Sequence, residues 1–185
     1  MKLPYMTLLI LVFAVAACTA PPDDLPRAQT TGATGDVVDS SDTVPIDPAK
    51  SSFTFTGYGP GKSHVGTFTD LSGELLLVGD SVVGARGVIQ ATSVKTDGER
   101  LENHLRSADF FDVATYPEIT MESTSIVDGT LRGTLTFHGV TKEISFPVTT
   151  GPRTLSADTV ISMKAFGVEY TGVNDEVRIQ FSLSA

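Results

Sequence analysis

Val177-Arg178-Ile179-Gln180-Phe181-Ser182-Leu183-Ser184 alternates apolar and polar residues without a break. Side chains of a strand point to opposite faces in turn, so this run presents one apolar face and one polar face. The same period of two recurs on working back through the chain. Leu155, Ala157, Thr159, Ile161 and Met163 form one run, and Ile144, Phe146 and Val148 form another. Leu131, Gly133, Leu135 and Phe137 alternate with Thr130, Arg132, Thr134 and Thr136. Ile119, Met121 and Ser123 alternate with Glu118, Thr120 and Glu122. Residues 82–94, 74–78 and 67–71 and the pair Phe53 and Phe55 complete the set. Ser72-Gly73 reads as a hairpin turn within it, and His138-Gly139 as another.

About eight such strands predict an all-β fold: an antiparallel sheet wrapped around one interior and closed as a barrel, since closure removes exposed edges. A sandwich of two sheets is the alternative. The inward faces carry Phe53, Phe55, Leu75, Leu77, Ile89, Ile119, Met121, Leu135, Phe146, Met163, Ile179 and Phe181. A small barrel either fills with such side chains or holds one slender ligand. Periodicity does not separate a lining from a packed core.

The helical signal lies at 96–106, "TDGERLENHLR". Thr96 and Glu99 have the spacing of a capping box. Leu101, His104 and Leu105 share one face, with Glu102, Asn103 and Arg106 turned away. Phe110 and Phe111 follow, and Tyr116-Pro117 forces an extended backbone into the next strand. The stretch reads as a crossover laid over the barrel or its mouth.

Residues 1–17, "MKLPYMTLLILVFAVAA", have a positive start at Lys2 and an apolar run too short to span a bilayer. Val15-Ala16-Ala17-Cys18 resembles a bacterial lipobox. That resemblance implies cleavage before Cys18 and acyl chains on this residue, hence a membrane-anchored lipoprotein facing the periplasm. Thr19 at the next position favours the outer membrane. Cys18 is the single cysteine, so no disulfide supports the fold. Residues 18–43 are rich in Pro, Asp, Thr, Gly and Ser and read as a flexible, disordered tether. The folded domain is expected over 44–185.

The formal net charge is −9, and Lys and Arg are scattered, which argues against nucleic acid as a partner. The three histidines, His64, His104 and His138, have no spacing that enforces a metal site. Acid pairs such as Asp97/Glu99 and Asp109/Asp112 sit where carboxylates cap backbone N–H groups. No G-x-S-x-G elbow or phosphate-cradling loop is present. The reading is non-catalytic, with no metal and no cofactor.

Several stretches resemble the YceI-like, polyisoprenoid-binding family. They are "HLRSADFFDVATYPEITMEST" from His104, "IDPAKSSF" from Ile46 and "LTFHGVTK" from Leu135, with "FTDLSGEL" and "VNDEVRIQFSLSA" in the same order. The resemblance covers roughly residues 44–185. It implies a lipocalin-like barrel with an elongated apolar cavity that binds an isoprenoid chain, such as a polyprenyl or quinone tail. It adds Phe110 and Phe111 to the lining, which Leu105 joins from the inner face of the helix; His104 on that face and His64 in a Gly-rich loop are the candidates for head-group contact. Burying about 300 Å² of tail at about 25 cal/mol per Å² would give roughly 7 kcal/mol before the costs of binding. Two segments depart from the family pattern, "GYGPGKSHVGTF" and the short "KAFGVEYTGVNDEV". Both are expected to border the cavity and to make it shallower. A ligand-free barrel that serves as a protein-interaction module is the alternative function.

Overall fold

Two-residue turns set the long hairpins. At Asp128-Gly129 both residues have positive φ (50° and 69°), as do His138 and Gly139 (51° and 72°). This is the turn whose twist matches that of paired strands, and it is why Gly follows Asp or His at each. The turns join β8 (Glu118–Val127), β9 (Thr130–Phe137) and β10 (Val140–Pro147) in one meander. The computed structural model describes residues 20–31 and 42–185. The other strands in chain order are β1 (Gln29–Thr31), β2 (Asp42–Pro45), β3 (Ser52–Gly59), β4 (Lys62–Phe68), β5 (Leu71–Val78), β6 (Ser81–Gln90) and β7 (Val94–Lys95). After β10 come β11 (Thr149–Gly151), β12 (Thr154–Ser162) and β13 (Glu176–Ser184). One helix, α1 (Glu99–Arg106), separates β7 from β8.

The fold is all-β and antiparallel, as its alternation predicts. The hydrogen-bonded ladder is not closed, however. The strands form a seven-stranded sheet, β1-β10-β9-β8-β6-β5-β2, and a six-stranded sheet, β11-β12-β13-β3-β4-β7. β1, β2, β7 and β11 are two to four residues long. Short pieces of this kind blunt sheet edges without closing a ladder. Ser72-Gly73 is not a turn: both residues lie inside β5. A Cβ on Gly73 would come within 2.3 Å of the Arg86 carbonyl oxygen, so glycine here lets β5 approach β6.

Residues 20–31 correct the expected tether. They lie on the domain, where β1 pairs with β10 through Gln29↔Ser145, Thr30↔Ile144 and Thr31↔Glu143. The Arg27 guanidinium grips Glu176 (Nε–Oε1 3.2 Å, Nη2–Oε2 3.1 Å). The domain's first strand beyond this segment starts at Asp42. Residues 1–19, with Cys18, and residues 32–41 lie outside the described residues.

The helix begins later than its sequence suggests. Gly98 is the N-cap and no side chain caps it. The carboxylate that reaches back is Glu102, not Glu99. Glu102 accepts hydrogen bonds from the Thr96 backbone N–H (3.2 Å), Lys95 Nζ (3.1 Å) and Arg106 Nη2 (3.3 Å). It is buried rather than turned to solvent, because these partners replace its water. Arg106 also donates to the carbonyls of Thr92 (2.9 Å) and Val94 (2.7 Å), which fastens α1 to the sheet.

These interactions hold carboxyls below the usual carboxylate range. The Thr96 N–H and then Lys95 lower Glu102; Lys50 and the Ala49 N–H lower Asp47; Arg178 lowers Asp158. A carboxyl with a depressed pKa in the fold favours the fold while it is ionised. That contribution is complete above the unfolded value of about 4 and is lost as pH falls below it. Thermal melts are therefore expected to show a flat midpoint from neutral pH to about 5 and a fall below about 4. Asp158→Asn should make that acid limb shallower.

Candidate functional site

The interior is not evenly filled. Leu75, Leu77, Leu131, Leu155, Val94 and Phe166 have less than 2% of their surface exposed. By contrast Phe53, Ile119, Met121, Leu135, Ile179 and Phe181 face inward and are only half-buried. They border a cavity of about 630 Å³ between the two sheets. That volume is in the range of small-molecule sites.

β3 supplies Phe53 and Phe55 to the wall, β8 Ile119 and Met121, β9 Leu135, β10 Ile144 and Phe146, β12 Thr159 and Ile161, and β13 Val177, Ile179 and Phe181. Leu101 and Leu105 of α1, with Phe110 and Phe111, form the roof. Phe111 is buried and belongs to a chain of rings. Its centroid is 6.2 Å from Phe55, 5.7 Å from Phe68 and 5.8 Å from Phe137. Gly66 makes room for the Phe55 ring, since a Cβ there would lie 2.2 Å from a ring carbon.

The mouth is made by the β3–β4 hairpin and the segment between β12 and β13, the two stretches expected to depart from the family pattern. Gly57, Gly59 and His64 come from the first, and Met163, Lys164 and residues 168–171 and 173–175 from the second. There the His104 ring meets Phe110 and Tyr170 edge to face (centroids 5.0 and 5.1 Å), and Phe110 and Tyr170 pack tilted at 4.9 Å. Polar and charged side chains at this rim pair with one another. His64 Nδ1 lies 3.3 Å from Asp97, and Lys164 Nζ lies 3.3 Å from Glu169. Asp175 accepts from the Ser162 hydroxyl (2.7 Å).

Most of the expected lining residues come together here. Phe53, Phe55, Leu105, Phe110, Phe111, Ile119, Met121, Leu135, Phe146, Met163, Ile179 and Phe181 all border the cavity. Leu75, Leu77 and Ile89 do not; they are buried in the filled part of the core. His64 lies at the mouth, as a head-group contact requires. His104 is not part of the wall: its ring packs on Phe110 and Tyr170, 3.6 Å from Asp109 Oδ2. Phe137 and Ile161 also line the cavity but were not expected, whereas Phe68 and Val168 come from the two segments expected to border it. Ile161 lies in the same alternating run as Met163, so its signal was present. Among the described residues, no three His, Cys, Asp or Glu side chains are grouped to hold a metal ion.

The profile of the YceI-like domain family matches residues 45–185. A UPF0312 protein of Vibrio parahaemolyticus is 39% identical over 95 residues, 48% of this chain and 49% of that protein. Protein YceI of Escherichia coli is 40% identical over 92 residues, 48% of this chain and 46% of its own length. The chain thus spans about half the length of the curated relatives it matches. Among solved structures, Burkholderia cenocepacia BcnA has a TM-score of 0.66 and 25% identity, covering 76% of this chain and 99% of that one. A polyisoprenoid binding domain from Saccharophagus degradans has a TM-score of 0.61 and 19% identity, covering 75% and 95%, a likeness of fold alone.

Proposed function

The chain belongs to the YceI-like domain family, and from that premise we propose that it binds the apolar tail of an isoprenoid lipid in the cavity between its sheets. The observation that carries this reading is that inward-facing apolar residues such as Met121, Leu135 and Ile179 are only half-buried around about 630 Å³ of open space. Apolar surface left open to water is the driving force for taking up an apolar chain. A packed interaction module would need a filled interior, so the open space weighs against that alternative.

The tail enters between Phe53, Met121, Leu135 and Ile179, under the roof of α1. Its head group stays at the rim near His64, Asn174 and Asp175. The role is non-catalytic: carriage or sequestration of the lipid in the periplasm, with the chain held to the outer membrane through acylated Cys18.

Phe110 and Phe111 test this, because the structure gives the two neighbours different surroundings. Phe110 is half-buried at the rim, and Phe111 is 6% exposed among Phe55, Phe68 and Phe137. Phe110→Asp is expected to weaken binding of a fluorescent farnesyl probe by about tenfold with little change in melting temperature. Phe111→Asp should cost about 4 kcal/mol of stability, since it empties a ring site and buries a carboxylate. Equal losses of stability from both would place Phe110 in the core and remove it from the mouth.

A further inference from the structure

Residues 20–31 precede the segment that matches the family, yet they occupy the seam between the two sheets. On one side β1 pairs with the edge of β10. On the other, the Ala28 N–H donates to the Val160 carbonyl (2.8 Å) and the Val160 N–H to the Pro26 carbonyl (2.9 Å). Arg27 and Val160 form a parallel bridge. The segment is thus a stave between β10 and β12, which otherwise carry no ladder to each other.

Both strands beside it line the cavity, β10 with Ile144 and Phe146 and β12 with Thr159 and Ile161. Paired residues of a ladder share a face, so Thr30 points the same way as its partner Ile144. Ala28, two residues earlier, packs on the core. Ala28 and Thr30 are the small side chains that the segment places at this seam, behind the cavity wall that β10 and β12 form.

The stave is weakly held. On one side it has a three-residue ladder and a Thr31–Glu143 side-chain bond (3.1 Å). On the other it has two backbone bonds and the Thr159 hydroxyl's bond to the Pro26 carbonyl (3.0 Å). The bidentate Arg27–Glu176 pair, whose side chains are 31% and 34% exposed, completes the set. A short edge element with few bonds opens more often than a sheet interior, and the Arg27–Glu176 pair is the largest single side-chain hold on it. The end-on mouth, by contrast, is latched by the His104, Phe110 and Tyr170 rings.

We propose that residues 20–31 are a detachable stave that seals the cavity along the β10–β12 seam, and that an apolar chain exchanges sideways when it lifts. This rests on the reading of the cavity as an isoprenoid site. With Cys18 acylated, three residue steps separate the anchor from Pro21, the first buried residue, at most about 11 Å of chain. The seam would then open beside the bilayer.

The test uses the full chain and Arg27→Ala, both reconstituted in phosphatidylcholine vesicles. Hydrogen–deuterium exchange follows the stave, and release of the labelled farnesyl probe to acceptor vesicles is timed. Peptides over 26–31 are expected to exchange about tenfold faster than those of β13, with Arg27→Ala raising both stave exchange and probe release about fivefold at an unchanged melting temperature. A stave protected as well as β13, or one loosened without faster release, overturns the sideways route. Failure of the probe to bind either protein sinks the isoprenoid reading itself, whereas a bound probe blind to Arg27→Ala sinks only the seam.

Discussion

Gly57→Phe is expected to abolish uptake of a prenyl chain while leaving the protein as stable as before. Gly57 borders the cavity at its mouth, on β3. A Cβ built there meets no atom within 4 Å, and Gly57 is not among the residues with positive φ. A larger side chain therefore has room and an ordinary strand backbone, and phenylalanine suits a strand better than glycine. The ring would fill cavity space that the bound tail must occupy. Affinity for the farnesyl probe should fall about 100-fold or more, equivalent to about 2.7 kcal/mol. Fluorescence titration and a thermal melt of the same sample check both halves. Binding of wild-type strength would mean that the bound tail does not reach the space beside Gly57.

The second large effect is a contrast between two leucines. Leu75 is 0% exposed in the filled core, and Leu135 is half-buried on the cavity wall. Truncation in a packed site loses the transfer energy of the side chain and leaves a new hole. Truncation beside an existing hole loses mainly the burial already achieved. Leu75→Ala is expected to cost about 3–4 kcal/mol and Leu135→Ala about 1 kcal/mol. Denaturant unfolding measures both, with similar slopes if both variants remain two-state. Equal losses would mean that Leu135 is as tightly packed as Leu75 and that the interior is full.

The same contrast explains what the sequence made legible. Alternation assigned the strands and their inward faces, because a period of two reports which side of a sheet a residue takes. It grouped Leu75, Leu77 and Ile89 with Leu135 and Ile179, because a face carries no record of what stands opposite it. His138-Gly139 was readable as a turn because two positive φ values in succession need that chemistry. The inward turn of Glu102 was not, since its partners include Lys95 on a neighbouring strand and helical spacing registers only the helix. Residues 20–31 are rich in Pro and Asp and bury little by themselves, so their composition reads as unfolded. Their order comes from partners such as Glu176, 149 residues away from Arg27. No local pattern encodes that pairing.

The most direct test of the central claim is native mass spectrometry of the full chain purified in mild detergent. A bound adduct is expected, one that organic extraction identifies as a prenyl lipid or a quinone and that Gly57→Phe lacks. A bare mass, unchanged after incubation with prenyl quinones, would contradict the claim that the cavity holds an isoprenoid tail.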